Sequence, residues 1–267
     1  TDEAIYIRWG QIAATDSDWL FISLTDGKQP LFIWLMMPWF SLLPDPLLAG
    51  RMVSVMAGLF TMLGLYLLAT ELFQRKAIGL LASVLYLFSP FALVYDRIAL
   101  YDSLVATLMV WALYAEVKLV KTLQWRYALL TGIVIGFGLL NKSIAEFGLI
   151  LLPFALLLFP FHDKKPLRKL GKFALLSIFA AIIAEGFAAI LRLSPFHYII
   201  AQKNTVFVRP FAEWIKDPFV AVFQNTPQMT HWLMEYLSLP FIVLAFVSFF
   251  ILRKFFMISI ESNLLRM

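Results

Sequence analysis

Leu31-Phe32-Ile33-Trp34-Leu35-Met36-Met37-Pro38-Trp39-Phe40-Ser41-Leu42-Leu43 is an apolar run that stops at Pro44-Asp45-Pro46. It falls short of the ~20 residues a spanning helix needs, and whether it crosses decides the orientation of everything after it. Further apolar segments lie at about 48–72, 78–94, 103–121, 127–141, 144–160, 173–193 and 231–252. If 31–43 lies in the interface and these others span, then Arg75, Lys76, Lys118, Lys121, Arg126, Lys164, Lys165, Arg168, Lys169, Lys172, Arg253 and Lys254 share one face. By the positive-inside rule that face is the cytoplasm. If 31–43 crosses instead, Arg75-Lys76 joins the face of an acid-rich first loop and the alternation fails downstream. The run therefore reads as a helix lying in the membrane plane. The expected fold is an all-α polytopic membrane bundle with about seven spans, entered through an extracytoplasmic loop that carries short interfacial helices.

Composition agrees. The 267 residues are 61% hydrophobic with a mean hydropathy of +0.82, beyond the apolar share of ordinary soluble domains. The net charge of +5 would suggest nucleic acid in a soluble chain. Here the basic residues sit in short loops between apolar runs, which is a topology signal, so no nucleic-acid partner is expected. With no cysteine, disulfides and thiolate metal sites are excluded. Two regions follow: residues 1–47 as the outer loop and 48–267 as the transmembrane bundle. The chain opens at Thr1 without a methionine or signal peptide, and is read as a fragment lacking an upstream helix and a C-terminal part.

Ionised groups beside hydrocarbon mark function by default, and four clusters fall on the outer face. Asp2-Glu3 heads an acid-rich stretch; a carboxylate at the water–membrane boundary is a usable general base, and the plain alternative is a solvated pair. Lys28 precedes Gln29-Pro30-Leu31 at the start of the interfacial helix, placed to hold a phosphate at headgroup depth or to anchor the interface. Tyr95-Asp96-Arg97-Ile98-Ala99-Leu100-Tyr101-Asp102 is an outer turn whose guanidinium suits a phosphate fork or a structural pair with Asp102. Lys142 follows Gly138-Leu139-Leu140-Asn141, with Glu146 four residues on as its simplest partner. Glu185 has no partner apparent in sequence and suits a protonated core residue or a cavity wall. His197 and His231 are isolated and lack ligand spacing. P-loop, dinucleotide, zincin and nucleophile-elbow motifs are absent.

The chain resembles the family 39 glycosyltransferases of the GT-C superfamily, the group of protein O-mannosyltransferases and aminoarabinose transferases. The likeness covers roughly residues 1–193 and rests on Asp2-Glu3, Lys28-x-Pro30-Leu31, Arg51-x-x-Ser54-x-x-x-Gly58, Arg97 five residues before Asp102, and Gly138-Leu139-Leu140-Asn141-Lys142. That resemblance implies an inverting transferase in the plasma or inner membrane, working on the extracytoplasmic side. It would take a sugar from a polyprenyl-phosphate donor to a lipid, glycan or protein acceptor. Asp2 would be the catalytic carboxylate, supported by Glu3, with Asp102 as a second acidic position and Lys28, Arg97 and Lys142 on the donor phosphate. Gly27 stands where aminoarabinose transferases often have an acidic residue, and Gln29 where many relatives have proline. Neither a divalent metal nor another cofactor is therefore expected. The competing class is a transporter or flippase for a lipid-linked or polar solute, which would place its polar residues near the midplane and show inverted repeats.

Overall fold

The computed structural model describes residues 2–159, 166–207 and 211–264, without the side chains of 207, 211, 214, 221 and 249–264. Lys164, Lys165 and Arg209, the side chains of Arg253 and Lys254, and the last residue of the 144–160 segment lie outside that description. The described residues are helical with no strand, in two compact units, one of residues 1–88 and 92–209 and one of 89–91 and 210–267.

In the first unit α1 (Asp2–Thr15) leads through two 3-10 turns to α2 (Leu31–Leu42) and the long α3 (Pro46–Phe73). The start of α3 is set by Asp45, whose carboxylate accepts from Leu47 N at 2.9 Å, with Pro46 in the first turn. Phe32, Ile33 and Met36 of α2 are fully buried, in one core with Tyr6, Ile7 and Ala13 of α1 and Val53 and Ala57 of α3. At 12 residues α2 is about 18 Å long, well below the ~30 Å hydrocarbon thickness. The short run thus packs as the lid of a core.

Beyond α3 come α4 (Lys76–Leu87), α5 (Pro90–Tyr95), α6 (Tyr101–Thr122) and α7 (Trp125–Asn141). The apolar stretch 78–94 is split at Phe88–Ser89, because proline at 90 disfavours helical backbone in the residue before it. The stretch after α7 is likewise uneven: a 3-10 turn, α8 (Glu146–Leu151), and a 3-10 run over Leu152–Leu158 that contains Pro153. Then α9 (Pro166–Ala188) passes into a 3-10 turn and α10 (Tyr198–Phe207).

Small residues bring the long helices together. The buried face of α3 is Ala49, Gly50, Val53, Ser54, Ala57, Gly58, Thr61 and Gly64, a spacing that lets backbones approach. Across this seam Thr107 of α6 donates to the Ala57 carbonyl at 2.7 Å, its hydroxyl lies 2.8 Å from that of Thr61, and Trp111 Nε1 donates to the Phe60 carbonyl at 3.0 Å. At the seam of α7 and α9, Gly132 faces the Ala180 carbonyl and Gly136 faces Phe187. That order makes α9 run parallel to α7. The far end of α3 and α6 is closed by Glu71, which accepts from Lys118 at 3.0 Å and Lys121 at 3.2 Å.

The second unit holds α11 (Phe211–Lys216) and α12 (Val220–Leu264). α12 is broken at Ser238, where φ is 62° and ψ 155°, two residues before Pro240. Its His231 lies 3.4 Å from Glu235, one turn along. Among the described residues, four helical stretches are long and apolar enough to cross a membrane: Pro46–Phe73, Tyr101–Thr122, Pro166–Leu193 and Val222–Ser248.

Candidate active site

One end of the first unit collects most of the residues singled out in the sequence. Glu3, in the first turn of α1, accepts from Arg51 Nε at 2.8 Å and Arg51 Nη2 at 3.1 Å, and from the backbone N–H of Ala99 at 2.8 Å. The two-toothed guanidinium grip, then the Ala99 N–H, hold this carboxyl below its ordinary pKa against the opposing effect of burial. Both oxygens are thus committed to tying α1 to α3 and to the turn before α6. Glu3 is a structural clamp, and it leaves the neighbouring Asp2 as the carboxylate exposed to solvent.

Asp2 faces Tyr6, one turn along α1. Burial pushes the Tyr6 hydroxyl up to about 12, with the negative charges of Asp2, Asp102 and Asp26 adding to the effect and a hydrogen bond to Asp2 as a further cause. Tyr6 packs edge-on against Tyr101 with ring centroids 4.8 Å apart. Asp102, next along α6, accepts from Lys142 Nζ at 3.1 Å, and both side chains remain partly open, 37% and 45% exposed. The lysine stands at the C-terminal cap of α7 in extended backbone. Of its three N–H donors one is used by Asp102, which leaves two for a ligand. Asp2, Tyr6, Asp102 and Lys142 are thereby gathered within one neighbourhood, and Lys142 takes Asp102 as its partner in place of Glu146.

Lys28 reaches this end by a different route. The 3-10 turn before it closes on Gly27, whose φ of 70° is left-handed, with Gly27 N donating to the Leu24 carbonyl and Lys28 N to that of Ser23. A Cβ at Gly27 would come within 2.7 Å of Lys203 Cγ, so both backbone and space call for glycine here. Lys203 itself pairs with Asp26 at 2.7 Å, pinning α10 to this turn. Gln29, buried, donates from Nε2 to the Ser143 hydroxyl at 2.6 Å. The residues following Lys28 and Lys142 are therefore bonded to each other.

Arg97 is set apart. It is exposed and lines an apolar hollow of about 180 Å³ between α3, α4 and α5, with Asp96, Gly58 and Tyr86. It makes no ion pair with Asp102. The carboxyl that the turn buries is Asp96, which accepts from the Tyr86 hydroxyl at 3.0 Å, stands directly against Gly58 and is pushed up by burial. The Arg51…Ser54…Gly58 pattern now has a physical content: Arg51 holds Glu3, and Gly58 leaves room for Asp96.

Sequence reading missed Tyr6 and a polar cleft. Tyr6 carries the helical spacing of a core aromatic and gave no other signal. The cleft, about 170 Å³, is walled by residues from four separate stretches, among them Gln29, Ser143, Glu146, Glu185 and Arg192. Glu185 was legible as a misplaced charge, and its surroundings were not. No group of three metal-binding side chains occurs among the described residues.

A family model described as dolichyl-phosphate-mannose-protein mannosyltransferase matches residues 27–187. No curated protein and no solved structure is matched.

Proposed function

From the chain's membership of the dolichyl-phosphate-mannose-protein mannosyltransferase family, which makes it a membrane glycosyltransferase of the GT-C type, we propose that it transfers a sugar from a polyprenyl-phosphate donor to an acceptor hydroxyl. The reaction takes place at the helix end that carries Asp2, Asp102 and Lys142, and this end faces the extracytoplasmic side of the plasma or inner membrane. The observation that carries the reading is the gathering, around Tyr6, of an exposed carboxylate, Asp2, and of Asp102, which holds the incompletely satisfied ammonium of Lys142.

Transfer from a lipid phosphate needs two things. A base must take the acceptor's proton as its oxygen bonds to the anomeric carbon, and fixed positive charge must receive the phosphate as it leaves with the bonding electron pair. Asp2 serves as the base. Lys142 and Lys28 hold the phosphate, and Asp102 keeps Lys142 aimed without exhausting its donors. Attack opposite the departing phosphate inverts the anomeric carbon. Arg97, at the mouth of an apolar hollow, meets the lipid portion of the donor near its phosphate. The acceptor is a lipid, glycan or protein hydroxyl.

The test is Asp2→Asn in membranes bearing the whole protein, assayed with polyprenyl-phosphate-linked mannose. Transfer falls by about 10²–10⁴-fold, the share of a general base, while expression and donor binding stay as in the wild type. Wild-type turnover in this variant would remove Asp2 from the reaction.

A further inference from the structure

The polar cleft is walled in part by Gln29 and Ser143. Its walls come from the residues before α2, the turn after α7, the end of α9 and α10. Four ionisable side chains converge on it, Glu146, Glu185, Arg192 and His197, and none is paired with another within ion-pair distance among the described residues. Glu146, Glu185 and Arg192 are exposed and His197 is half-buried, so their hydrogen-bonding capacity is open to a solute in the cleft. Glu185 in particular belongs to a stretch long and apolar enough to cross the membrane, and an unpaired carboxylate there is tolerated where it faces water or a polar ligand. The cleft is also built. Gln29 is 5% exposed and holds Ser143 at 2.6 Å, so the serine oxygen accepts from the amide and its own O–H is left to donate.

Position joins the cleft to the chemistry. Gln29 and Ser143 are the chain neighbours of Lys28 and Lys142, the two cations assigned above to the phosphate. A donor sugar is one bond from that phosphate, so it must occupy space next to those cations. We propose that this cleft is the sugar subsite of the donor, with Glu185 and Glu146 accepting hydrogen bonds from ring hydroxyls and Arg192 donating to them. Two carboxylates against one guanidinium select an uncharged or cationic polyhydroxylated ring and reject an acidic one. This inference rests on the donor reading of the preceding subsection.

Binding separates the two. In membranes bearing the whole protein, affinities are measured for polyprenyl-phosphate-linked mannose and for polyprenyl phosphate without a sugar, in the wild type and in Glu185→Gln and Arg192→Met. The wild type prefers the mannosylated lipid. Each variant reduces that preference about tenfold, the loss of one charge-assisted hydrogen bond, and leaves the affinity for the sugar-free lipid unchanged. An unaltered preference in both variants overturns the subsite, as does an effect confined to the KM of the acceptor. Failure of even the wild type to bind sugar-free lipid, with Lys142→Ala without effect, overturns the donor reading itself. A uronic-acid-linked lipid, bound as tightly as the mannosylated one, overturns the charge selection.

Discussion

Glu3 and Asp2 are adjacent in sequence and opposite in circumstance. Glu3 has three donors on its two oxygens and a side chain 15% exposed, whereas Asp2 stands open. A pair of acids at a helix start reads identically at both positions in sequence, because the difference is made by Arg51 and Ala99, 48 and 96 residues away. Glu3→Gln keeps the shape and loses the charge, and should cost about 1–3 kcal/mol of stability, read as a lowered melting temperature in detergent. The pH dependence follows from the same clamp. The folded-state pKa of Glu3 lies below its usual 4.5, so its contribution is complete above that value and is lost as pH falls through the depressed one. Wild-type melting temperature should therefore drop on acidification below about 4.5 more steeply than that of Glu3→Gln, and parallel curves would contradict the clamp.

At the scale of elements, glycines decide how closely helices lie. Gly136 of α7 has room for no Cβ, since one would sit 2.7 Å from that of Phe187, while Gly186 of α9 has open space around it. Gly136→Leu should destabilise by about 1–3 kcal/mol through overpacking, and Gly186→Ala should be neutral or mildly stabilising. Thermal unfolding of the two variants in one detergent checks the contrast. The elements themselves were largely legible: the apolar runs and the stop at Pro44-Asp45-Pro46 followed from composition and proline chemistry, while α3 starts at Pro46, two residues ahead of the expected 48. Less legible were the interruptions at Phe88–Ser89 and through the 3-10 run around Pro153, because a lone proline beside a long apolar run kinks, breaks or starts a helix according to what packs against it. The side chains that meet were legible only in part. Lys142 and Asp102 were both visible as unusual charges, yet their pairing depends on α6 and α7 lying side by side, and Arg97 turned to a different wall for the same reason.

For the molecule as a whole, the alternation of directions is the testable quantity. The start of α3, the start of α6 and the end of α7 share one end of the first unit, and Glu71 with Lys118 and Lys121 marks the other. The chain has no cysteine, so single replacements report cleanly on sidedness. In intact cells a membrane-impermeant maleimide should label Asp18→Cys and should reach Gln124→Cys only after permeabilisation. The reverse pattern would put the acidic end in the cytoplasm and sink the proposed location of catalysis. Between the first loop and the turn after α7 there is also the contact of Gln29 with Ser143 at 2.6 Å. It carries no charge, yet each of its partners is chained to a lysine, so the interval between the two ammonium groups is inherited from a neutral stitch. If both ammonium groups hold the donor phosphate as proposed, the headgroup admitted there can then drift by altering an amide and a hydroxyl, with both cations left untouched.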